Sequence, residues 1–308
     1  MSEQPKIAVL GSINMDLVVR CGKLPTPGET VIASQSMEIC GGKGANQAVA
    51  AAKSGGQVRM IGRVGDDIFG ETLKKRLEKE GVDCTHVQMT NNCASGLAVV
   101  AVEGSGENSI LVVPGANAKL SKDDVESARA TIESSDALLV QLEIPVPTVI
   151  AAMDIARKAD VKVILDPAPV PAFFPSDLFD VDLVCPNETE AIRLMGMRVD
   201  DLDSAKSAAF SLQGIGAKHV AITRGAKGTA LLERSDFIDI QSFKVETVDT
   251  TAAGDAFAGA LSVRWSEGEP LKEAVRFANA AGALAVSRMG AQPGMATREE
   301  ILGLLKGG

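Results

Sequence analysis

The residues best suited to chemistry in this 308-residue chain lie in one heptapeptide near its C-terminus, Asp249-Thr250-Thr251-Ala252-Ala253-Gly254-Asp255. It runs into an apolar helical pattern, Ala256-Phe257-Ala258-Gly259-Ala260-Leu261, so small residues stand where a helix begins. The free N–H groups of Ala252, Ala253 and Gly254 can converge there on an anion, assisted by the positive end of the helix dipole. Gly254 lets the backbone approach closely, and Asp255 sets a carboxylate beside that hole. A helix N-terminus is expected, if anything, to lower that carboxylate's pKa. A phosphoryl group held next to a carboxylate that accepts a hydroxyl proton is the layout for phosphoryl transfer to an alcohol. The plainer reading is an aspartate capping a helix.

Other constellations have the same double character. In Gly11-Ser12-Ile13-Asn14-Met15-Asp16, extended backbone points Asn14 and Asp16 to one face, where they can bind adjacent hydroxyls of a polyol or merely form a polar turn. Gly41-Gly42-Lys43-Gly44-Ala45-Asn46-Gln47 enters an alanine-rich helix; its glycines permit close backbone approach, and Lys43 and Asn46 offer donors. The chain holds neither G-x-x-x-x-G-K-[ST] nor a G-x-G-x-x-G after a strand, so P-loop and Rossmann readings fail. Glu143 places a carboxylate just past a strand. Asn187 and Glu190 are spaced as a helix capping box, or as partners of hydrated Mg²⁺ beside nucleotide phosphates. Thr223-Arg224-Gly225-Ala226-Lys227-Gly228 forms a turn or flanks a nucleotide. The two histidines, His86 and His219, read as surface or packing residues.

These groups need elements to position them. Buried-strand runs at 7–10, 137–140, 161–165 and 220–223 alternate with helical patterns at 45–53, 70–80, 122–134, 148–158, 189–195 and 204–212. That alternation predicts an α/β fold, a mostly parallel central sheet flanked by helices on both faces. Segments 14–40 and 93–113 are strand-like without intervening helices, the second a hairpin with a Gly/Ser turn. They read as a small projecting β-sheet, a lid on a single domain spanning 1–308. The chemical motifs follow strand ends, where open α/β sheets collect ligands.

Composition narrows the partners. A net charge of −9 argues against nucleic acid or anionic membrane. No apolar run has transmembrane length, and the N-terminus lacks a signal-peptide pattern. Five scattered cysteines without a C-x-x-C pair indicate neither zinc nor a disulfide framework, and suit a reducing, cytoplasmic setting.

Taken together, Gly11–Asp16, Pro27-Gly28-Glu29-Thr30, Gly41-Gly42-Lys43-Gly44-Ala45-Asn46-Gln47-Ala48, Pro186-Asn187-Glu188-Thr189-Glu190, Asp249–Asp255 and Gly290-Ala291-Gln292-Pro293 resemble the ribokinase-like (PfkB) carbohydrate kinases, in order and over essentially the whole chain. The resemblance implies ATP-dependent phosphorylation of D-ribose at the 5-hydroxyl, giving D-ribose 5-phosphate and ADP. Another acceptor (deoxyribose, fructose or a nucleoside) and a non-catalytic sugar-binding regulatory protein stay open. It implies Asp255 as base and Ala252, Ala253 and Gly254 as the anion hole. Asn14, Asp16, Gly42, Lys43, Asn46 and Glu143 would hold the sugar. Asn187, Thr223, Gly225, Gly228 and Asn279 would lie along ATP, with Glu190 acting through hydrated Mg²⁺. A monovalent cation, usually K⁺, is implied at Asp249, Thr251, Ala285, Arg288 and Gly290, mostly through carbonyl oxygens. Gly294 stands where such kinases often have Ser. The resemblance also implies a homodimer through the lid.

Overall fold

The computed structural model describes residues 3–104 and 108–307. The first half of the chain supplies strands β1 (Lys6–Leu10), β2 (Asn14–Cys21), β3 (Gln35–Gly41), β4 (Gln57–Gly65), β5 (Asp83–Thr90), β6 (Gly96–Glu103) and β7 (Asn108–Val113). The second supplies β8 (Ala137–Val140), β9 (Lys162–Leu165), β10 (Leu183–Val184), β11 (His219–Thr223), β12 (Thr229–Glu233) and β13 (Asp236–Ile240). Helices α1 (Lys43–Lys53), α2 (Gly70–Lys79), α3 (Lys122–Ser127), α4 (Arg129–Glu133) and α5 (Val146–Lys158) alternate with the earlier strands. Then come α6 (Glu188–Met195), α7 (Leu202–Gly214), α8 (Ala253–Ser266), α9 (Leu271–Val286), the short α10 (Ala291–Gly294) and α11 (Arg298–Gly307).

Nine strands form the main sheet in the order β13-β12-β11-β10-β9-β8-β1-β4-β5. Pairing is parallel from β5 across to β11 and antiparallel over β11-β12-β13. Strand periodicity divides the core: Ile7, Val9, Leu139 and Ile164 face one layer, while Ala8, Leu10, Leu138, Val140, Val163 and Leu165 face the other. With both faces covered, these strands read as continuous apolar runs, which is why they were legible. The chain leaves β1 for β4 on one side and reaches β8 on the other, so the sheet has its switch point beside β1, where a crevice opens at the strands' carboxyl ends.

The remaining four strands form a small mixed sheet, β3-β2-β6-β7, in which only the central β2–β6 pair is parallel. It springs from the end of β1 after three residues, so Asn14 and Asp16 at the start of β2 are delivered to the crevice. Its outer strand exposes Ile110, Leu111, Val112 and Val113. The expected Gly/Ser turn of the hairpin falls at 105–107, outside the described residues.

One helix differs from expectation. The continuous pattern over 122–134 is two helices, α3 and α4, broken at Ala128 with φ −97° and ψ 6°. Ser127 Oγ donates to the carbonyl of Asp124 at 2.7 Å, a local bond that competes with the helical ladder. Strands β4, β5, β12 and β13 went unread because polar or short stretches blur their period.

Candidate active site

Helix α8 sets the site. A β-carbon on Gly259 would lie 2.6 Å from both Ala50 Cβ and the Gln47 carbonyl of α1, so glycine there lets the two helices touch. Asp255, one turn earlier on the same face, is thereby brought to α1 and buried. Its Oδ2 accepts from Asn46 Nδ2 at 3.0 Å and its Oδ1 from Gln47 Nε2 at 3.1 Å. Ala252 precedes the helix with φ 59°, a left-handed conformation rare for a residue with a side chain. Ala253 N–H makes a long 3.4 Å bond to Thr250 O, while those of Ala252 and Gly254 reach no protein acceptor among the described residues. The helix tip thus presents amides, as expected, with a carboxylate beside them.

The polyol-binding candidates converge on the same point. Ser12 Oγ donates to Glu143 Oε2 at 2.5 Å, and Lys43 N–H reaches the same oxygen at 3.3 Å. Asn14 is buried and its Oδ1 accepts from Asn117 Nδ2 at 2.7 Å. Gly42 adopts φ 91° with no room for a β-carbon, which would lie 2.7 Å from Asn14 N. A β-carbon on Gly41 would fall 2.1 Å from Asp16 Oδ2. Asn46 Oδ1 is buried without a protein partner, an acceptor left for an incoming hydroxyl.

Crowded acids set the electrostatics. Burial, then Glu143 and Asp255, push the Asp16 carboxyl up to about 7. The expectation that the helix tip lowers Asp255 is overturned. Burial raises its pKa, with Glu143 adding to the rise, against Lys43 and the Asn46 and Gln47 bonds. Desolvation of a carboxylate outweighs a helix dipole at this depth. Burial also opposes the charge on Lys43, but Asp255, Asp166, Glu143 and Glu190 outweigh it and hold the ammonium above its usual range.

A small cavity lined by Lys43, Asp166, Asn187, Glu190, Gly254 and Asp255 joins this cluster to a larger one. The larger cavity, about 670 Å³, is lined by Thr223, Gly225, Gly228, Phe257 and Asn279 among others and shares Thr223, Thr250, Ala253, Gly254 and Phe257 with the first. Its size and apolar walls suit a purine nucleoside, and residues of the α8 tip line both cavities. The capping reading of Asn187 and Glu190 holds: each side chain bonds the other's backbone N–H at 2.8 Å. That uses one Glu190 oxygen and leaves the other. Among the described residues no cluster of three or more His, Cys, Asp or Glu could hold a bare metal ion. One free carboxylate oxygen suits a hydrated, phosphate-bound Mg²⁺. Asn279 is on the cavity wall, but its amide is committed to Thr229 Oγ1 at 2.6 Å and the carbonyls of Ile240 and Gln241. It therefore shapes the wall rather than offering donors.

Asp249 Oδ1 accepts from Thr251 N–H and Oγ1, and its Oδ2 from Gly290 N–H at 2.9 Å, tying two loops behind the α8 tip. A β-carbon on Gly294 would lie 3.3 Å from Ala285 O and 3.8 Å from Arg288 O, so those carbonyls face one small space. That oxygen-only set is suited to a monovalent cation.

Sequence reading passed over Asp166, buried beside Gln47 and Lys43. It follows β9 at the carboxyl edge, the placement that singled out Glu143, and could have been found by the same rule. Asn117 and the 242–247 wall carry no motif. His86 and His219 are structural: the first meets Thr131 Oγ1 at 2.9 Å, the second stacks edge-on to Trp265.

The profile of the pfkB family of carbohydrate kinases matches residues 4–298. A ribokinase of Haemophilus influenzae is 42% identical, over 97% of this chain and 98% of that protein. A deoxyribokinase of Salmonella typhi is 37% identical, over 93% of this chain and 94% of its own length. The solved structure of Arabidopsis thaliana ribokinase, complexed with ribose and ATP, superposes with a TM-score of 0.91 at 37% identity and covers 99% of both chains.

Proposed function

Because this chain belongs to the pfkB family of carbohydrate kinases, we propose that it transfers the γ-phosphoryl group of ATP to the 5-hydroxyl of D-ribose, giving D-ribose 5-phosphate and ADP. The observation carrying this reading is the meeting of Asp255 with the amides of Ala252, Ala253 and Gly254 at one helix tip, between the two cavities' groups. Asn14, Asp16, Asn46 and Glu143 orient the sugar, and Gly42 clears its path. Asp255 holds the reacting hydroxyl and takes its proton late, when the phosphorus–oxygen bond is forming. Lys43 offsets the carboxylates around it. Thr223, Gly225 and Gly228 flank the nucleotide.

Glu190 and Asn187 would hold a hydrated Mg²⁺, which supplies neutralisation of phosphate charge when bound. Asp249, Thr251, Ala285, Arg288 and Gly290 would hold K⁺ near the anion hole, mostly through carbonyl oxygens. The apolar outer strand of the small sheet, Ile110–Val113, supports closure of the lid against a second copy of the chain. Sedimentation of Leu111→Glu should show a monomer where the parent is a dimer. The chain has free thiols at Cys21, Cys40, Cys84, Cys93 and Cys185 and no helix among the described residues long and apolar enough to cross a membrane; we assign the reaction to the cytoplasm.

The test is a coupled assay with ribose and ATP, with and without Mg²⁺ and K⁺, followed by product identification. ADP release with ribose and loss of turnover in Asp255→Asn are expected. No ADP with any pentose would leave a sugar-binding protein as the reading. The similarity to a deoxyribokinase favours deoxyribose as the competing acceptor, and its kcat/KM against ribose decides between them.

A further inference from the structure

Gln47 is wholly buried in α1, and the mechanism above gives it no task. Its side-chain nitrogen donates to two carboxylates from distant parts of the chain, Asp255 Oδ1 at 3.1 Å and Asp166 Oδ2 at 2.7 Å. Its oxygen accepts from Gln141 Nε2 at 2.5 Å. Gln141 is wholly buried and packs against Gly11: its Oε1 lies where a β-carbon on Gly11 would be 1.9 Å away, and it has no hydrogen-bond partner among the described residues. The amide's orientation is fixed by chemistry, since turning it over would aim an oxygen at two acids.

We propose that Gln47 is a positioning residue for phosphoryl transfer: with one N–H on Asp255 and the other on Asp166, it fixes the plane of the base carboxylate and holds it off its acidic neighbour. This rests on Asp255 being the base. Asn46 bonds the other Asp255 oxygen, so two donors on consecutive residues of one helix define the carboxylate plane. Terminal carboxylate torsions are otherwise broad, and without Gln47 one of the two constraints is gone.

Charge is affected in the same direction. The groups facing Asp255 are Lys43 and Asp166, with Glu143 and Asp16 toward the small sheet and Glu190 beyond Asp166. Burial raises both Asp255 and Asp166, and a Gln47 bond lowers each. Removing the amide therefore favours the protonated acids.

The test compares Gln47→Met, Asp255→Asn and the double variant with the parent, using ribose and ATP from about pH 5.5 to 8.5. In Gln47→Met, kcat should fall about 10- to 100-fold with both KM values within about threefold. Its acid limb should move to higher pH. The double variant should be no slower than Asp255→Asn alone, because Gln47 acts through Asp255. An unchanged kcat, or a loss that adds to that of Asp255→Asn with the acid limb in place, overturns the proposal. If Gln47→Met does not fold, Gln141→Met frees the Gln47 oxygen without touching a carboxylate; a smaller shift of the same sign supports the proposal and an unmoved limb overturns it. Parent-like turnover in Asp255→Asn would sink the base assignment and this inference together. Loss there beside an unaltered Gln47→Met would sink this inference alone.

Discussion

Gly259 of α8 and Ala50 of α1 approach so closely that a β-carbon on the glycine would lie 2.6 Å from Ala50 Cβ, with α1 backbone equally near. This contact sits one turn below Asp255 and sets how far that carboxylate reaches toward Asn46 and Gln47. Backbone cannot yield as the end of a flexible side chain can. Gly259→Ala should therefore cost about 1–3 kcal/mol in urea unfolding, a typical overpacking penalty. Displacing the helix tip should also lower kcat about 10- to 100-fold. Destabilisation with unaltered kcat would mean that the α8 tip is placed by something other than this contact.

Gly254 presents the opposite case. A β-carbon there would meet nothing within 4 Å, yet the residue lines both cavities. Gly254→Ala should fold normally, with a gain of up to about 1 kcal/mol from helix propensity. The methyl would fill space beside the amides to which the proposed mechanism brings the phosphate, and kcat/KM for ATP should then fall about 10- to 100-fold. Ribose affinity, measured by calorimetry without nucleotide, should stay the same. A variant with parent-like ATP kinetics would rule out the helix tip as the anion hole.

Asp16 gives a pH dependence. Its carboxyl is pushed up to about 7 from the ordinary 3.8 by burial, Glu143 and Asp255. Between about pH 4 and 7 the folded chain keeps a proton that the unfolded chain has lost, so this residue's effect is to lower stability as pH rises through that window, levelling off above it. Asp16→Asn should raise stability by roughly 1–3 kcal/mol at pH 8. Near pH 4, where both states are protonated, the gain should vanish. In the parent, KM for ribose should fall as pH rises through about 7, because the ionised carboxylate is the better acceptor of sugar hydroxyls. Urea titrations at the two pH values check the sign; equal gains at both would exclude Asp16 titration as the cause.

Much of this was legible because certain sequence patterns have one cheap structural solution. The apolar runs at Ile7–Leu10 and Ala137–Val140 had to be strands buried on both faces, and they are. The peptide at 249–255 runs into a helix as its small residues suggest, and the capping-box spacing of Asn187 and Glu190 does cap one. What escaped depends on three-dimensional crowding. The pKa of Asp255 is set by how deeply α8 sinks against α1, which rests on Gly259 and no local signal. The two donors on Asp255 come from residues more than 200 positions away. Asp166 is meaningful only once Gln47 and Lys43 surround it. The resemblance set Asn279 along ATP, and only the fold reveals that Thr229 and two carbonyls already occupy its amide.

Gly294 offers a test of the cation site. A β-carbon at this position would be 3.3 Å from the Ala285 carbonyl and 3.8 Å from that of Arg288, so serine fits with a small local adjustment and its φ brings no strain. Its hydroxyl would add an oxygen to the space those carbonyls face. If K⁺ is held there, Gly294→Ser should lower the K⁺ concentration for half-activation by up to about tenfold, about 1.4 kcal/mol for one added ligand. Maximal turnover at saturating K⁺ should be little altered, since Asp255 and the α8 amides are untouched. The measurement is turnover against K⁺ at constant ionic strength, with a non-coordinating cation making up the balance. A half-activation point that does not move, in a variant that folds as the parent does, would place the activating ion elsewhere.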